Sequence, residues 1–328
     1  MTALPPLPSP GVPFAFPPEA MESLPTLTPG IQRAGRTLLL ADEPERVHGP
    51  GLMYRDTVSG PFRAYLYALI DAPAAIGFEV RVRNPGVVPV TVQVDRVGVG
   101  GPGAGFFQVG QAALAAWLAE QAPLRPLAVP PGRTLPLWPA LRHKRAVRGQ
   151  ALNAIVDATA SGPLEVSLVA DGGGRAEPEP LPPGPRPAAL PMRGTFAAAD
   201  LMLEVRCAPG QRLRLGLPPS YLVGYSALDE LAVINYGNYG VRYDVALSAQ
   251  GPASETTLVF VPGGGGFCGA LAVDRRLLPL AAPGGRQLDV RQAVSLGRHR
   301  LPAAGAAPLV LTWMAPAASY LPAVLALA

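Results

Sequence analysis

Catalysis by an activated nucleophile needs a base within reach of a Ser, Thr or Cys, and general acid-base work needs paired carboxylates or a pocketed histidine. The chain supplies these residue types without the spacing. Gly224-Tyr225-Ser226-Ala227 starts like the G-x-S-x-G nucleophile turn and lacks its closing glycine, and no H-E-x-x-H occurs. The acidic residues Asp56, Asp95, Asp157, Asp200, Asp229, Glu230 and Asp244 are dispersed, mostly at outward strand positions or beside turns. Asp42-Glu43 with Glu45, and Asp229-Glu230, could take calcium in a loop, yet each set is too small alone. His48, His143 and His299 stand too far apart for a metal site, and Cys207 and Cys268 form no C-x-x-C. The expectation is therefore no metal, no cofactor and no catalytic constellation, with a site assembled from distant residues left open.

Binding is better served by the composition. The stretch YLVGYSALDELAVINYGNYGVRYDVAL gathers Tyr221, Tyr225, Tyr236, Tyr239 and Tyr243 in one short span. Tyr243 takes an inward strand position and is assigned to the core. Tyr236 and Tyr239 flank glycines in a turn, where large aromatics can stand exposed as platforms for sugar rings or a protein partner. Tyr236, Tyr239, Asn235 and Tyr225 are the ligand-binding candidates. The alternative is a tyrosine that closes the end of a sandwich with its hydroxyl bonded to backbone. The one charge run, LRHKRAVRGQ, clusters Arg142, Lys144, Arg145 and Arg148 around His143. It is either a contact for a carboxylate or phosphate partner, or a solvated loop or edge strand. Cys207 and Cys268 either pair as a disulfide in an oxidising compartment or act as small buried hydrophobes.

Two glycine-rich stretches imitate nucleotide motifs. Gly98 to Gly105, GVGGPGAG, sits between a strand and a helix predicted over Val109 to Ala122. Pro102 interrupts the glycines, and the helix does not begin inside them as a dinucleotide fingerprint requires, so they read as a flexible crossover between sheets. Gly263 to Gly266 is followed by no Lys-Ser/Thr pair, which removes the phosphate-cradle reading and leaves a glycine hinge.

The elements that must position these residues are short strands. With 41 prolines and 37 glycines in 328 residues, long helices are disfavoured and turns are plentiful. Phe78-Glu79-Val80-Arg81-Val82-Arg83 alternates apolar and charged, and after the turn Asn84-Pro85-Gly86 the alternation resumes with Val90, Val92 and Val94. That period of two is the mark of a half-buried antiparallel sheet. LMYRDTV and FRAYLYALI read as a hairpin about Ser59-Gly60-Pro61, and LNAIVDA and LEVSLVA as two strands around Ser161-Gly162-Pro163.

An internal repeat sets the domain organisation. PLAVPPGRTLPL, from Pro126, recurs as PLAAPGGRQLDV, from Pro279, with seven of twelve positions identical at an offset of 153. Gly60 and Gly210 match at 150, as do Gly101-Pro102 and Gly251-Pro252, and the order is collinear. A repeat of roughly 150 residues has the size of a domain. The fold expected is all-β, with two tandem antiparallel β-sandwiches of Ig-like or jelly-roll type and one short helix in the first. The boundaries expected are a proline-rich tail over 1–34, domain 1 over 35–170, a Pro/Gly linker over 171–189 and domain 2 over 190–328.

Composition also narrows partners. Lys144 is the lone lysine among 27 basic residues, the net charge is +4, and the arginines are scattered along strands, so nucleic acid is not an expected partner. No window approaches the ~20 apolar residues of a membrane span. The start MTALPPLPSPGVPFAFPPEA has neither a basic n-region nor an uninterrupted apolar run, so no signal peptide is expected there.

RGTFAAADLMLEV, SYLVGYSAL and NYGNYGVRYDV, together with LAVPPGR and VRGQALNAIVDATASGPLEVSLV, resemble a bacterial cell-surface β-sandwich region. That region is found in proteins carrying a copper amine oxidase N-terminal-like, or stalk, domain. The resemblance covers about residues 35–328 and implies an extracellular or envelope-associated protein. The stalk domain itself is absent, so neither copper nor amine oxidase chemistry is implied. The function expected is a non-catalytic surface or adhesion module for envelope polysaccharide or a surface protein. The alternatives are a carbohydrate-active hydrolase with a cleft at the domain junction, and a structural subunit of a surface array.

Overall fold

The computed structural model describes residues 7–122, 124–173, 178–182 and 192–328. Strands make up 55% of the chain and helix 8%, so the class is all-β. The chain divides into two compact units. Unit 1 contains the described residues up to Ala34, then Asp200–Tyr221 and Tyr236–Ala328; unit 2 contains Gly35–Ala199 and Leu222–Asn235. This partition differs from the expected boundaries at 170/171 and 189/190. Most of the expected linker lies outside the described residues. Its described piece, Pro178 to Pro182, stays with unit 2: Leu52 donates to Glu179 O and accepts from the Leu181 N–H.

Unit 2 is built on two long strands, Gly51–Ile70 and Ala151–Asp171, which run antiparallel along their whole length. Both turn signals read from the sequence fall inside these strands. Gly60 lies opposite Ala160, and the register shifts between Ala160 and Leu164, so Ser161-Gly162-Pro163 forms an irregularity facing the Gly60 corner. Opposed corners let both strands bend together, so neither reverses into a hairpin. Beyond the corner the partners change. Ala151 to Ala160 pairs with Val90–Gly103, while Glu165 to Asp171 pairs with Ile76–Arg83. Phe78, Val80 and Val82 are buried from the alternating strand, as its period requires. Its polar face is covered at one end only: Glu79 is buried and bonds Arg81 at 2.5 Å, while Arg83 is exposed.

The glycines of GVGGPG are part of the Val90–Gly103 strand, which corrects the flexible-crossover reading. The helix Phe106–Leu118 lies directly on them. A Cβ at Gly98 would stand 2.2 Å from Ala113 O, and one at Gly100 would stand 1.9 Å from Val109 O. These positions are glycine because backbone meets backbone there. The helix starts three residues before the expected Val109 and ends at Leu118, short of Ala122. Among the described residues one further helix occurs, the short Pro18–Glu22.

Unit 1 holds a five-stranded and a six-stranded sheet. Tyr243 and Trp313 in one sheet and Phe260 in the other meet through Phe267, with successive ring centroids at 5.2, 6.5 and 4.8 Å. The lead-in expected as a tail belongs to this unit. Pro13–Ala15 forms the edge of one sheet beside Gln292–Leu301, and Gly30–Ala34 the edge of the other beside Asp200–Cys207. Phe16 and Met21 anchor it in an apolar cluster with Val259 and Val324. Prolines suit edge strands because a missing N–H is harmless there. The Gly263 to Gly266 run, expected as a hinge, is packed: a Cβ on Gly264 would lie 2.0 Å from Leu321 O.

Not all pairing is antiparallel. Asp200–Cys207 runs parallel to Arg242–Ala249, and Thr37–Ala41 parallel to Gly51–Ile70. The repeat segments also keep different neighbours: Leu127–Val129 pairs with Val90 to Val92, whereas Arg276–Leu280 pairs with Gly269–Val273. Among the described residues no helix is long and apolar enough to cross a membrane.

Candidate functional site

The tyrosine stretch is divided between the two units. In unit 2, Leu222–Ser226 and Leu231–Asn235 form a hairpin. Tyr225 is half exposed on it, while Asn235 is fully buried at its end. The hairpin is fastened by a bidentate pair in which Arg193 donates to Asp229 at 2.7 and 2.6 Å, and Ser226 Oγ donates to the same carboxylate. Asp229, weighed as a calcium ligand, is thereby committed to structure. A second lock uses Tyr54. Its hydroxyl lies 2.9 Å from Thr195 Oγ1 and donates to Tyr225 O at 3.2 Å, and Thr195 donates to Asp56 at 2.5 Å. Burial, acting first, pushes the Tyr54 hydroxyl up to about 12 against the pull of Thr195 and Ala227.

In unit 1 the turn after Tyr236 carries the exposed aromatics. Tyr236 is 48% exposed, and its ring stands edge-on to Tyr221 at 5.5 Å. Tyr221 is placed in turn by Arg33, which donates to the carbonyls of Tyr221 and Pro219. Tyr239 is half-buried, and its hydroxyl donates to Ser319 O at 3.4 Å. That is the backbone-bonded tyrosine weighed as the alternative, so the two tyrosines of NYGNYG have different roles. Asn238 between them has φ of 49°, a left-handed conformation that asparagine tolerates. Tyr320, next to Ser319, is 59% exposed. Tyr243 is buried in the core, as expected, and donates to Ser220 at 3.1 Å.

The basic run does not assemble into one anion surface. Arg148 pairs with Asp71 at 3.2 Å, Arg145 donates to Ala75 O at 2.5 Å, and Arg142 is exposed in the 3-10 turn Pro139–His143. Lys144 alone lines a cavity. Both cysteines are free and buried, with Cys207 Sγ on Ser248 O and Cys268 Sγ on Gly285 O, so they stand as separate thiols. Burial pushes each thiol up to about 11.

Sequence reading missed one arrangement and weighed another only as a calcium loop. The first is the Arg63–Asp157 pair, fully buried at 2.7 and 3.0 Å, with Trp117 of the helix 4.8 Å over the guanidinium. Arg36 joins it, reaching Asp157 at 3.3 Å and Asp95 at 3.0 Å. The matched cross-strand positions of Arg63 and Asp157 are the signal, visible once the register is known. The second is Asp42, whose carboxyl is pushed well above the usual range by burial and by Glu45 and Glu43. Among the described residues no group of three or more His, Cys, Asp or Glu side chains is arranged to hold a metal.

No protein-family model matches this chain, and no curated protein matches it. Among solved structures, one similar chain is a mutant laccase from B.aclada, at 9% identity and a TM-score of 0.13. The alignment covers 78% of this chain and 47% of the laccase. A likeness of that size says nothing about fold or function.

Proposed function

We propose that the protein is a non-catalytic binding module that holds pyranose rings of an envelope polysaccharide on the tyrosine face of unit 1. The observation that carries the reading is Tyr236, exposed at 48% yet held edge-on to Tyr221. A ring already fixed in place loses little conformational freedom on binding and offers an apolar face to sugar C–H groups. Tyr239 supports the turn from below through Ser319. The carboxylates that a glycosidase would need are largely tied to arginines: Asp157 to Arg63, Asp229 to Arg193, Asp244 to Arg242. The hydrolase alternative draws on Asp42, whose carboxyl is pushed well above the usual carboxylate range by burial and then by Glu45 and Glu43.

The envelope location belongs to the same proposal and rests on the resemblance of the RGTF and NYGNYG strings. The duplicated sandwich is also part of it. Two matched glycine pairs, Gly60 with Gly210 and Gly132 with Gly285, share positive φ, which supports a common origin for the halves. Calorimetric titration with purified cell-wall polysaccharides tests the binding reading. Tyr236→Ala is expected to weaken binding at least tenfold, and Tyr239→Phe to leave it within twofold. Wild type binding no polysaccharide, or Tyr236→Ala binding like wild type, would overturn it. Release of reducing ends that Asp42→Asn abolishes would favour the hydrolase.

A further inference from the structure

Unit 2 contains a cavity of about 310 Å³ beside the Val90–Gly103 strand, at the foot of the helix. Its walls are mostly apolar, including Val97, Leu124 and Trp138, and its polar groups are Asp95, Arg96, Gln121 and Lys144, with Arg96 donating to Trp117 O at 3.3 Å. The volume is at the small end of the range of small-molecule sites, ~300–1,000 Å³. Part of the wall is rigid. The Gln121 amide accepts from the Val97 N–H at 3.0 Å and donates to Val97 O at 2.9 Å and Ala116 O at 2.5 Å, so it is fully occupied in structure. Asp95 is also occupied, by Arg36 and Thr159, each at 3.0 Å.

Lys144 is different. Its ammonium makes no ion pair or hydrogen bond with any described residue, although the neighbouring Arg145 and Arg148 both find acceptors. Lys144 is the one lysine of a chain whose other 26 basic residues are arginine, and it stands in the wall of this cavity. A compact point charge on a flexible stem can meet a single anionic group without the flat two-pronged partner that arginine prefers. With Asp95 neutralised by Arg36, Lys144 and Arg96 leave the cavity lining net positive.

From this geometry we propose that the cavity is a binding site for a small aromatic monocarboxylate, its ring against Trp138 and the Val97–Leu124 wall and its carboxylate on Lys144. The site is independent of the tyrosine face, lies wholly within unit 2 and involves no bond making. An uncharged ligand would leave the ammonium without its partner. A polymer would not fit the volume.

The test uses phenylacetate and its uncharged isostere phenylacetamide, with the full chain, followed by calorimetry and by the change in tryptophan fluorescence that Trp138→Phe should remove. Wild type is expected to bind phenylacetate saturably at one site and phenylacetamide at least tenfold more weakly. Lys144→Met is expected to lose at least tenfold for phenylacetate and to leave phenylacetamide unchanged, while Lys144→Arg retains part of the preference. Arg133→Met, an exposed cation of the same unit, is expected to bind like wild type. Absence of saturable binding, equal affinity for the two probes, or equal binding by Lys144→Met and wild type would each overturn the proposal. The wild-type preference between the two probes decides the matter even if Lys144→Met fails to fold.

Discussion

Replacing Gly100 by alanine is the sharpest test of how unit 2 is put together. The new Cβ would lie 1.9 Å from Val109 O and 2.8 Å from Ala113 N, whereas ordinary contact begins at 3.4 Å, so about 1.5 Å must be found. Both atoms are helix backbone, which cannot swing aside as the tip of a side chain can. Either the helix lifts as a body, or the strand recedes from Asn153, its cross-strand partner. Lifting loosens Val109, Ala113, Leu114 and Trp117, all buried beneath the helix. It also uncovers the Arg63–Asp157 pair that Trp117 shields. Overpacking of this kind costs about 1–3 kcal/mol and occasionally more, and the rigid partner places Gly100→Ala at ~3 kcal/mol. For a unit of this size that lowers Tm by roughly 6–12 °C. Urea unfolding followed by tryptophan fluorescence and near-ultraviolet dichroism measures it. Gly49→Ala is the control, since a Cβ there meets nothing within 4 Å. It should be neutral or stabilise by about 0.4–1 kcal/mol. Equal unfolding midpoints for the two variants would refute the close approach of helix and strand.

Two further expectations concern titratable groups. With both thiols pushed up to about 11 by burial, neither Cys207 nor Cys268 carries appreciable thiolate at pH 8. A thiol reagent should find no reactive cysteine in the native protein and two after unfolding without reductant; none after unfolding would mean a disulfide. Tyr54 keeps its proton to about 12, against about 10 when unfolded, so the folded state binds that proton more tightly. Its share of stability is intact below pH 10 and is lost as pH rises towards 12. The fall of unfolding free energy over that window should be shallower in Tyr54→Phe, and parallel curves would count against the buried hydroxyl network.

Periodicity and punctuation are local properties, and what they fix was readable without coordinates. The all-β class followed from proline, glycine and alternating Val90, Val92 and Val94. The buried faces of Phe78, Val80 and Val82 followed from a period of two, and Tyr243 was placed in the core for the same reason. Tertiary structure decided what local sequence leaves degenerate. Ser59-Gly60-Pro61 has turn composition, yet whether such a corner reverses a strand or only bends it depends on what lies opposite. Here the opposing segment carries a register shift at the same place and the strand runs on. Arg63 and Asp157 sit at outward parity, where alternation predicts solvent, but a helix covers that face and converts two surface charges into a buried pair. Gly98 and Gly100 look like freedom in the sequence and are close contact in the fold. NYGNYG could not be divided into an exposed ring and a bonded one from its letters, because the partners, Tyr221 across the hairpin and Ser319 from a distant segment, meet it only in the fold. Lys144 was legible as the lone lysine and as one member of a charge run, but not as the member without a partner. What the fold adds is that Arg145 and Arg148 find partners and Lys144 does not, and such partners exist only once distant segments have been brought together.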